Sequence, residues 1–512
     1  VPSRRLAPAA PPSTLPRAVV PPPPPLPLTL STFPRDARIN AVPPQPVHAS
    51  TDLRPHLHRL DPFASPDQAD PVLRDFLHRA SDLLCDWIGT ASKGVPLPTV
   101  RPQPAVAPAA AGLGMDRLLK DLQLVMEGAY QPSHPGALAH LDPPPLTASI
   151  AADLICAGLN NNLLAEELSP GLTDLEQQLC SWFCQQLGLP EQSGGVLASG
   201  GTLSNLMGLV VARTHAGVRD GVVLCSRDAH VSLQKAATVM GLPDEALQQL
   251  PVDSNGGLDL AALDAALLAL RRDGRCCLAV VATAGTTVRG AVDPLDAIAR
   301  LFRREGVWMH VDAAIGGVFA LWEPLAPLMK GLHQADSITL NPQKLLGITK
   351  TSSMLLLRDR SKLRDAFSTG LPYMESPCSN DHGGEVGLQG TRPAEVLKLW
   401  LGLRQLGIEG IGSVLESALE RKAMLKRLLA DDRLLVLDGG LHLLALRPRQ
   451  EDPAGSASWT EQTRQLLMRH GFLLSRPSYD GHHWLKVVLG NPHTTGSHLQ
   501  QLAGLISQQL TH

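Results

Sequence analysis

Aromatic side chains are scarce in this 512-residue sequence, at 4 % of positions with only three tyrosines. That scarcity argues against an aromatic-lined carbohydrate surface or a base-stacking platform. Charge of one sign is lacking too: 45 basic residues against 48 acidic ones leave a net charge of −3. No basic cluster resembles a nucleic-acid footprint, so no nucleic-acid partner is expected. Long apolar runs are missing as well. The stretches around 258–270 and 434–446 are interrupted by Asp or His and fall short of the roughly 20 residues that span a bilayer. The sequence reads as a soluble protein with no membrane association. The eight cysteines include no CxxC pair, and their spacing fits neither a zinc site nor a disulfide framework. They are expected to be reduced core residues of a cytoplasmic protein, without a metal.

Proline is abundant, and it is unevenly placed. Fifteen of the 44 prolines fall in the first fifty residues, including the run Pro21–Pro25. Such a segment cannot bury enough apolar surface to offset its ordering, so residues 1–69 are expected to be a disordered or polyproline II tail. Arg4, Arg5 and Arg17 precede any acidic residue, but the segment has no apolar h-region and its proline run forbids an amphipathic helix, so it is not read as a targeting peptide.

Residues 70–133 form an N-terminal helical segment with a linker. Val72, Leu73, Phe76, Leu77, Leu83, Leu84 and Trp87 predict a helix over 71–94, a Pro/Ala-rich linker covers 100–111, and a second helix follows at 115–126. Residues 134–400 alternate helices with short apolar strands, with strand candidates at 222–225, 278–282, 307–311 and 337–340. Alternation of this kind predicts an α/β domain, a mostly parallel sheet flanked by helices. Residues 401–512 predict a smaller α+β domain: a long helix over 401–429, strands near 434–436, 441–446 and 484–489, and helices between and after them.

The chemistry-bearing residues fall at the ends of these strands, where ligands gather in open α/β sheets. Ser199-Gly200-Gly201-Thr202 precedes an apolar helix. Its glycines let backbone N–H groups approach an anion at the positive end of that helix, so a phosphate fits there. Asp228-Ala229-His230 follows one strand, and an imidazole there can stack on a planar ring. Thr283-Ala284-Gly285-Thr286-Thr287 ends another strand with small residues and hydroxyls. His310-Val311-Asp312-Ala313-Ala314 places a carboxylate at a strand end, and a buried carboxylate needs a cationic partner. Asn341-Pro342-Gln343-Lys344 follows about thirty residues later. A lysine and an aspartate in this order are what a pyridoxal phosphate (PLP) enzyme requires. The lysine forms a Schiff base with the cofactor aldehyde, and the aspartate keeps the pyridine nitrogen protonated.

These segments resemble the group II PLP-dependent amino-acid decarboxylases, the family of the aromatic-amino-acid, glutamate and diaminobutyrate enzymes. The resemblance runs from about 134 to 495. Beyond the motifs above it rests on Ala-Asp-Ser at 335–337, Thr-Arg-Pro-Ala-Glu-Val-Leu-Lys-Leu-Trp at 391–400 and Leu-Gly-Asn-Pro-His-Thr-Thr at 489–495. It implies PLP fold type I with a mostly parallel seven-stranded sheet, and a homodimer. It also implies roles. Lys344 would carry the cofactor, Asp312 would pair with its ring nitrogen, and His230 would stack on the ring. Gly201, Thr202 and Asn341 would hold the phosphate, while Thr287 and Ala314 would line the ring. Tyr373 would return a proton to Cα after carbon dioxide leaves. Arg392 would lie near the substrate carboxylate, and the segment from His134 would line the substrate pocket.

Two positions depart from the family pattern. Gln343 stands where the family usually has histidine, and glutamine cannot titrate. Ile315 stands where aromatic-substrate members often have tyrosine. The expectation is a carboxy-lyase for a polar aliphatic amino acid: glutamate, aspartate or 2,4-diaminobutyrate. An aromatic substrate, another reaction on the same fold and a non-catalytic scaffold are the alternatives.

Overall fold

The computed structural model describes residues 63–370 and 382–510. The large sheet contains β1 (Gly194–Ala198), β2 (Val222–Ser226), β3 (Leu247–Leu250), β4 (Cys277–Thr283), β5 (Trp308–Ala313), β6 (Ser337–Leu340) and β7 (Ser353–Leu357). Its order is β1-β7-β6-β5-β4-β2-β3, and β7 alone runs against its neighbours. The mostly parallel seven-stranded sheet is therefore present.

Three of these strands were not among the sequence candidates, each for a physical reason. β1 opens on two glycines, and a Cβ on Gly195 would sit 2.4 Å from the Leu355 carbonyl, so close backbone packing hides the strand's apolar signal. β3 is a four-residue edge strand carrying two glutamines. β7 is an apolar run too short to distinguish from a buried helix by periodicity.

The helices are α1 (Pro71–Gly89), α2 (Met115–Glu127), α3 (Thr147–Leu159), α4 (Pro170–Gln186), α5 (Gly201–Ala216), α6 (Ser232–Val239), α7 (Leu260–Arg272), α8 (Leu295–Glu305), α9 (Ser361–Phe367), α10 (Val396–Leu428), α11 (Pro453–Arg469) and α12 (Gly496–Gln508), and those from α4 to α9 cover both faces of the large sheet. Helix α1 is set by its cap: Asp70 accepts hydrogen bonds from the Val72 and Leu73 amides, with Pro71 in the first turn. It ends at Gly89, short of the anticipated 94.

Period-2 alternation sorts the strand side chains between the two faces. Val222, Leu224, Val280 and Ala282 pack with Phe183, Leu263 and Ile298 on one side. Val223, Cys225, Ala279 and Val281 pack with Met207, Leu209 and Leu233 on the other. Every position of β2 and β5 is buried, which is what a central parallel sheet covered on both faces demands. At roughly 1.5–3 kcal/mol per large buried apolar side chain, these layers dominate the stabilisation.

The long α10 begins earlier than the anticipated 401 and contains a break at Gly407, whose φ of 62° and ψ of 177° leave the helical region. Glycine tolerates that conformation and a side chain does not. Beyond α10 lies a three-stranded antiparallel sheet, β12-β9-β8, formed by β8 (Leu434–Leu437), β9 (Leu443–Pro448) and β12 (Leu485–Val488). A two-stranded ribbon, β10 (Ser478–Tyr479) with β11 (His482–His483), sits beside it in sequence. The small sheet packs Leu444, Leu446, Leu485 and Val487 against Leu425, Leu499 and Ile506. No helix among the described residues is long and apolar enough to cross a membrane.

Candidate active site

The carboxyl ends of β2, β4, β5 and β6 open onto one cavity of about 200 Å³. Its walls include Gly201, Thr202, His230, Thr287, Asp312, Ala314, Asn341 and Lys344. All eight side chains assigned from sequence to cofactor binding thus share one space. Asn205, Gly285, Ile315 and Gln343 complete the lining.

Each wall is built by a different element. Gly200, at φ 87°, turns the chain from β1 into α5 and presents the first turn of that helix to the cavity. A Cβ on Gly201 would come within 3.0 Å of the Asn341 amide. In the amide orientation that satisfies both of its ends, Asn341 accepts from the Gly201 N–H at 3.2 Å and donates to Ser353 Oγ at 2.5 Å and to the Leu340 carbonyl at 3.1 Å. The bare backbone at Gly201 and the free first-turn geometry of α5 leave a cradle suited to a phosphate.

Lys344 ends a short 3₁₀ turn, Pro342–Lys344, immediately after β6. Burial lowers its pKa, while the Asp312 and Asp142 carboxylates pull it back up. Asp312 sits near the end of β5 and is 5 % exposed. Its Oδ1 accepts from the Ala314 amide at 3.2 Å and its Oδ2 from Asn205 Nδ2 at 2.8 Å. His230 accepts from the Ser232 amide at Nδ1, at 3.2 Å, which leaves Nε2 to carry its proton. Burial lowers the His230 pKa, and the Asp312 charge partly restores it. The donor set fits PLP: a nucleophilic amine, a carboxylate for the ring nitrogen, an imidazole for the ring face and a helix N-terminus for the phosphate.

Other expected residues lie elsewhere. Arg392 is not brought to the cavity; its guanidinium is held by Glu176, with Nη1 to Oε2 at 2.6 Å and Nη2 to Oε1 at 2.7 Å. His134 is buried, and its Nδ1 accepts from the Gly136 amide at 2.9 Å; it does not line the cavity either. Tyr373 lies outside the described residues. Gln343 does line the cavity, with its side-chain carbonyl accepting from the Ser352 amide.

Sequence reasoning passed over two functional candidates. Asn205 follows the glycine motif, and its position four residues after Gly201 on one helical face was the available signal. Lys486, in β12, is 6 % exposed. Burial, and then the neighbouring Lys344 charge, lower its pKa to about 8, with Asp142 acting in the opposite direction. A lone lysine in a short apolar strand carried no mark of that proximity.

The chain belongs to the pyridoxal-dependent decarboxylase family, whose conserved domain matches residues 100–438. It is a PLP-dependent amino-acid decarboxylase, a carboxy-lyase, of PLP fold type I. It is 31 % identical to L-2,4-diaminobutyrate decarboxylase of Rhizobium meliloti (strain 1021), over 88 % of this chain and 96 % of that one. It is 32 % identical to L-2,4-diaminobutyrate decarboxylase of Acinetobacter baumannii, over 60 % of this chain and 66 % of that one. Among solved structures, Oryza sativa TDC with PLP and tryptamine superposes with a TM-score of 0.81 at 24 % identity, covering 88 % of this chain and 99 % of that one.

Proposed function

We propose that the substrate is a polar aliphatic L-amino acid, with 2,4-diaminobutyrate ahead of glutamate and aspartate. The observation that carries this reading is the cavity wall: Ile315, 3 % exposed, lies in it, and among the described lining residues none is Phe, Tyr or Trp. An indole or phenol ring would find no aromatic partner there. The two diaminobutyrate decarboxylases similar to this chain support the same choice.

PLP supplies the electron sink for the carbanion left at Cα when carbon dioxide departs. The chain's own residues do the rest. Lys344 Nζ holds the cofactor, and its lowered pKa keeps more of the amine in the nucleophilic form. Asp312 would hold the proton on the ring nitrogen, with its carboxylate oriented by its two N–H donors. His230 would lie against the ring face. Gly201, Thr202 and Asn341 would bind the phosphate, and Thr287 and Ala314 would flank the ring. The Glu176 pair denies Arg392 a role at a substrate carboxylate. Tyr373 would return a proton to Cα.

The active form is a homodimer in the cytoplasm. Helix α1 buries none of its residues in a single chain. Val72 is 56 % exposed and Leu73 44 %, while on α3 Ile155 is 55 % exposed and Leu154 45 %. A second copy would cover such a surface. The seven described cysteines are all unpaired, as a reducing compartment requires.

The test is carbon dioxide release by the PLP-loaded protein across a panel of amino acids. Turnover of 2,4-diaminobutyrate at a kcat/KM at least about tenfold above tryptophan and tyrosine, a margin of ~1.4 kcal/mol in transition-state binding, is expected. Preference for an aromatic amino acid would overturn the substrate assignment. A mass near that of one 54.6 kDa chain by light scattering would overturn the dimer.

A further inference from the structure

Behind Asp312, four buried side chains connect in a chain, with Thr339 Oγ1 as a 3.5 Å side contact at His310 Nε2. Trp308 Nε1 donates to Ser337 Oγ at 2.9 Å. Ser337 Oγ lies 2.8 Å from His310 Nδ1, and His310 Nε2 lies 3.1 Å from Asn205 Oδ1. Asn205 Nδ2 then donates to Asp312 Oδ2 at 2.8 Å. His310 is 0 % exposed, Asn205 1 % and Ser337 1 %.

The chemistry at the Asp312 end orders the protons at His310. A carboxylate accepts, and Asn205 Nδ2 also donates to Ser232, so Asn205 presents Oδ1 to His310 Nε2. That end selects the imidazole with its proton on Nε2, and the Ser337 hydroxyl, which accepts from the Trp308 indole N–H, still has a proton to offer Nδ1. The other neutral tautomer would set Nε2 and Asn205 Oδ1 lone pair to lone pair. Complete burial, which pushes the His310 pKa down to about 4 despite the Asp312 charge, agrees with the neutral ring.

The second Asn205 hydrogen goes to Ser232 Oγ at 2.8 Å, and the Ser232 amide holds His230. One amide group therefore braces the carboxylate and, through Ser232, the imidazole that faces the same cavity. Room for the chain is reserved at Gly208, where a Cβ would lie 2.6 Å from the His310 ring.

We propose that Asn205 is a positioning residue for PLP, and that the proton-ordered chain Trp308–Ser337–His310–Asn205 fixes the orientation of the Asp312 carboxylate. The inference rests on the reading above that Asp312 meets the ring nitrogen. By supplying a directed donor to Oδ2, Asn205 keeps Asp312 an acceptor and holds its plane. Loss of Asn205 frees the carboxylate to rotate and leaves His310 Nε2 with only the 3.5 Å Thr339 Oγ1 contact.

The experiment has two arms. In the first, ¹⁵N NMR of histidine-labelled protein, with and without PLP, reads the His310 tautomer, assigned by loss of its signals in His310→Gln. Protonated Nε2 with unprotonated Nδ1 is expected in both states; a proton on Nδ1, alone or with Nε2, at neutral pH overturns the proposal. In the second, PLP dissociation constants are compared for wild type, Asn205→Ala and Ser337→Ala. Asn205→Ala should weaken PLP binding roughly tenfold to a hundredfold, as expected when a hydrogen bond to a charged group is lost. Ser337→Ala, which leaves the Asn205–Asp312 contact in place, should weaken it a few-fold. Variants that melt earlier yet bind PLP like wild type would reduce Asn205 to a structural residue and overturn the proposal. A wild-type protein with no visible PLP band removable by Lys344→Ala would instead signal failure of the underlying site reading.

Discussion

Arg392 and Glu176 face each other through two parallel hydrogen bonds, at 2.6 and 2.7 Å, with 6 % and 5 % of their surfaces exposed. Glu176 Oε1 also accepts from the Leu197 amide at 3.3 Å, so the pair ties α4 and β1 to the segment that leads into α10. A bidentate arginine already matched to a carboxylate has no fork left for a substrate.

Arg392→Ala should therefore act on stability and leave substrate affinity alone. Removing one partner strands a buried carboxylate, and such losses run about 3–5 kcal/mol. Urea unfolding checks the magnitude, and KM in the surviving folded fraction checks the role. A folded variant of wild-type stability with KM raised about tenfold, the equivalent of ~1.4 kcal/mol of binding, would return Arg392 to the substrate.

Lys344→Ala should lose both the visible absorbance of lysine-bound PLP and carbon dioxide release. A fall in kcat of at least about a thousandfold, some 4 kcal/mol of barrier, is expected, with folding retained because a small side chain replaces one that faces a cavity. Retained turnover would mean that another amine carries the cofactor.

The central sheet and the cofactor wall were legible because both are written in local patterns. Branched apolar runs mark β2, β4, β5 and β6, and the motif at each strand's end reaches the cavity because parallel strands deliver their carboxyl ends to one edge. What was not legible depends on distant pairing. Arg392 reads as a free cation until Glu176, 216 residues away in sequence, is seen beside it. Lys486 gains meaning only from the fold that brings the β12 charge within reach of Lys344. The Gly407 break is likewise silent, since an isolated glycine in a helical pattern is ordinarily tolerated.

Gly208→Ala sets two effects against each other. Alanine favours the helix over glycine by about 1 kcal/mol. At this position, however, its methyl would lie 2.6 Å from His310 Cε1 and 2.7 Å from Nδ1, in a ring held from both sides. Overpacking of a fixed core group costs about 1–3 kcal/mol. The clash should win, giving net destabilisation by chemical denaturation. A more stable variant would show that the His310 ring shifts freely.

Lys486→Met should stabilise the cofactor-free protein near neutral pH. Burial and the Lys344 charge hold the Lys486 pKa at about 8, against 10.5 for an unperturbed lysine. Between those values the unfolded chain binds a proton that the folded chain does not, so stability rises with pH across that window. Below pH 8 the folded protein carries a buried ammonium at its full cost, on the order of 3 kcal/mol by the pKa difference. Methionine has nearly the same shape and no charge, so its advantage is largest at pH 7 and fades as pH approaches 10.5. Urea unfolding of both proteins at pH 7 and pH 9.5 measures the difference directly. A methionine variant less stable at pH 7, or a gap that does not narrow with pH, would place Lys486 in a solvated setting.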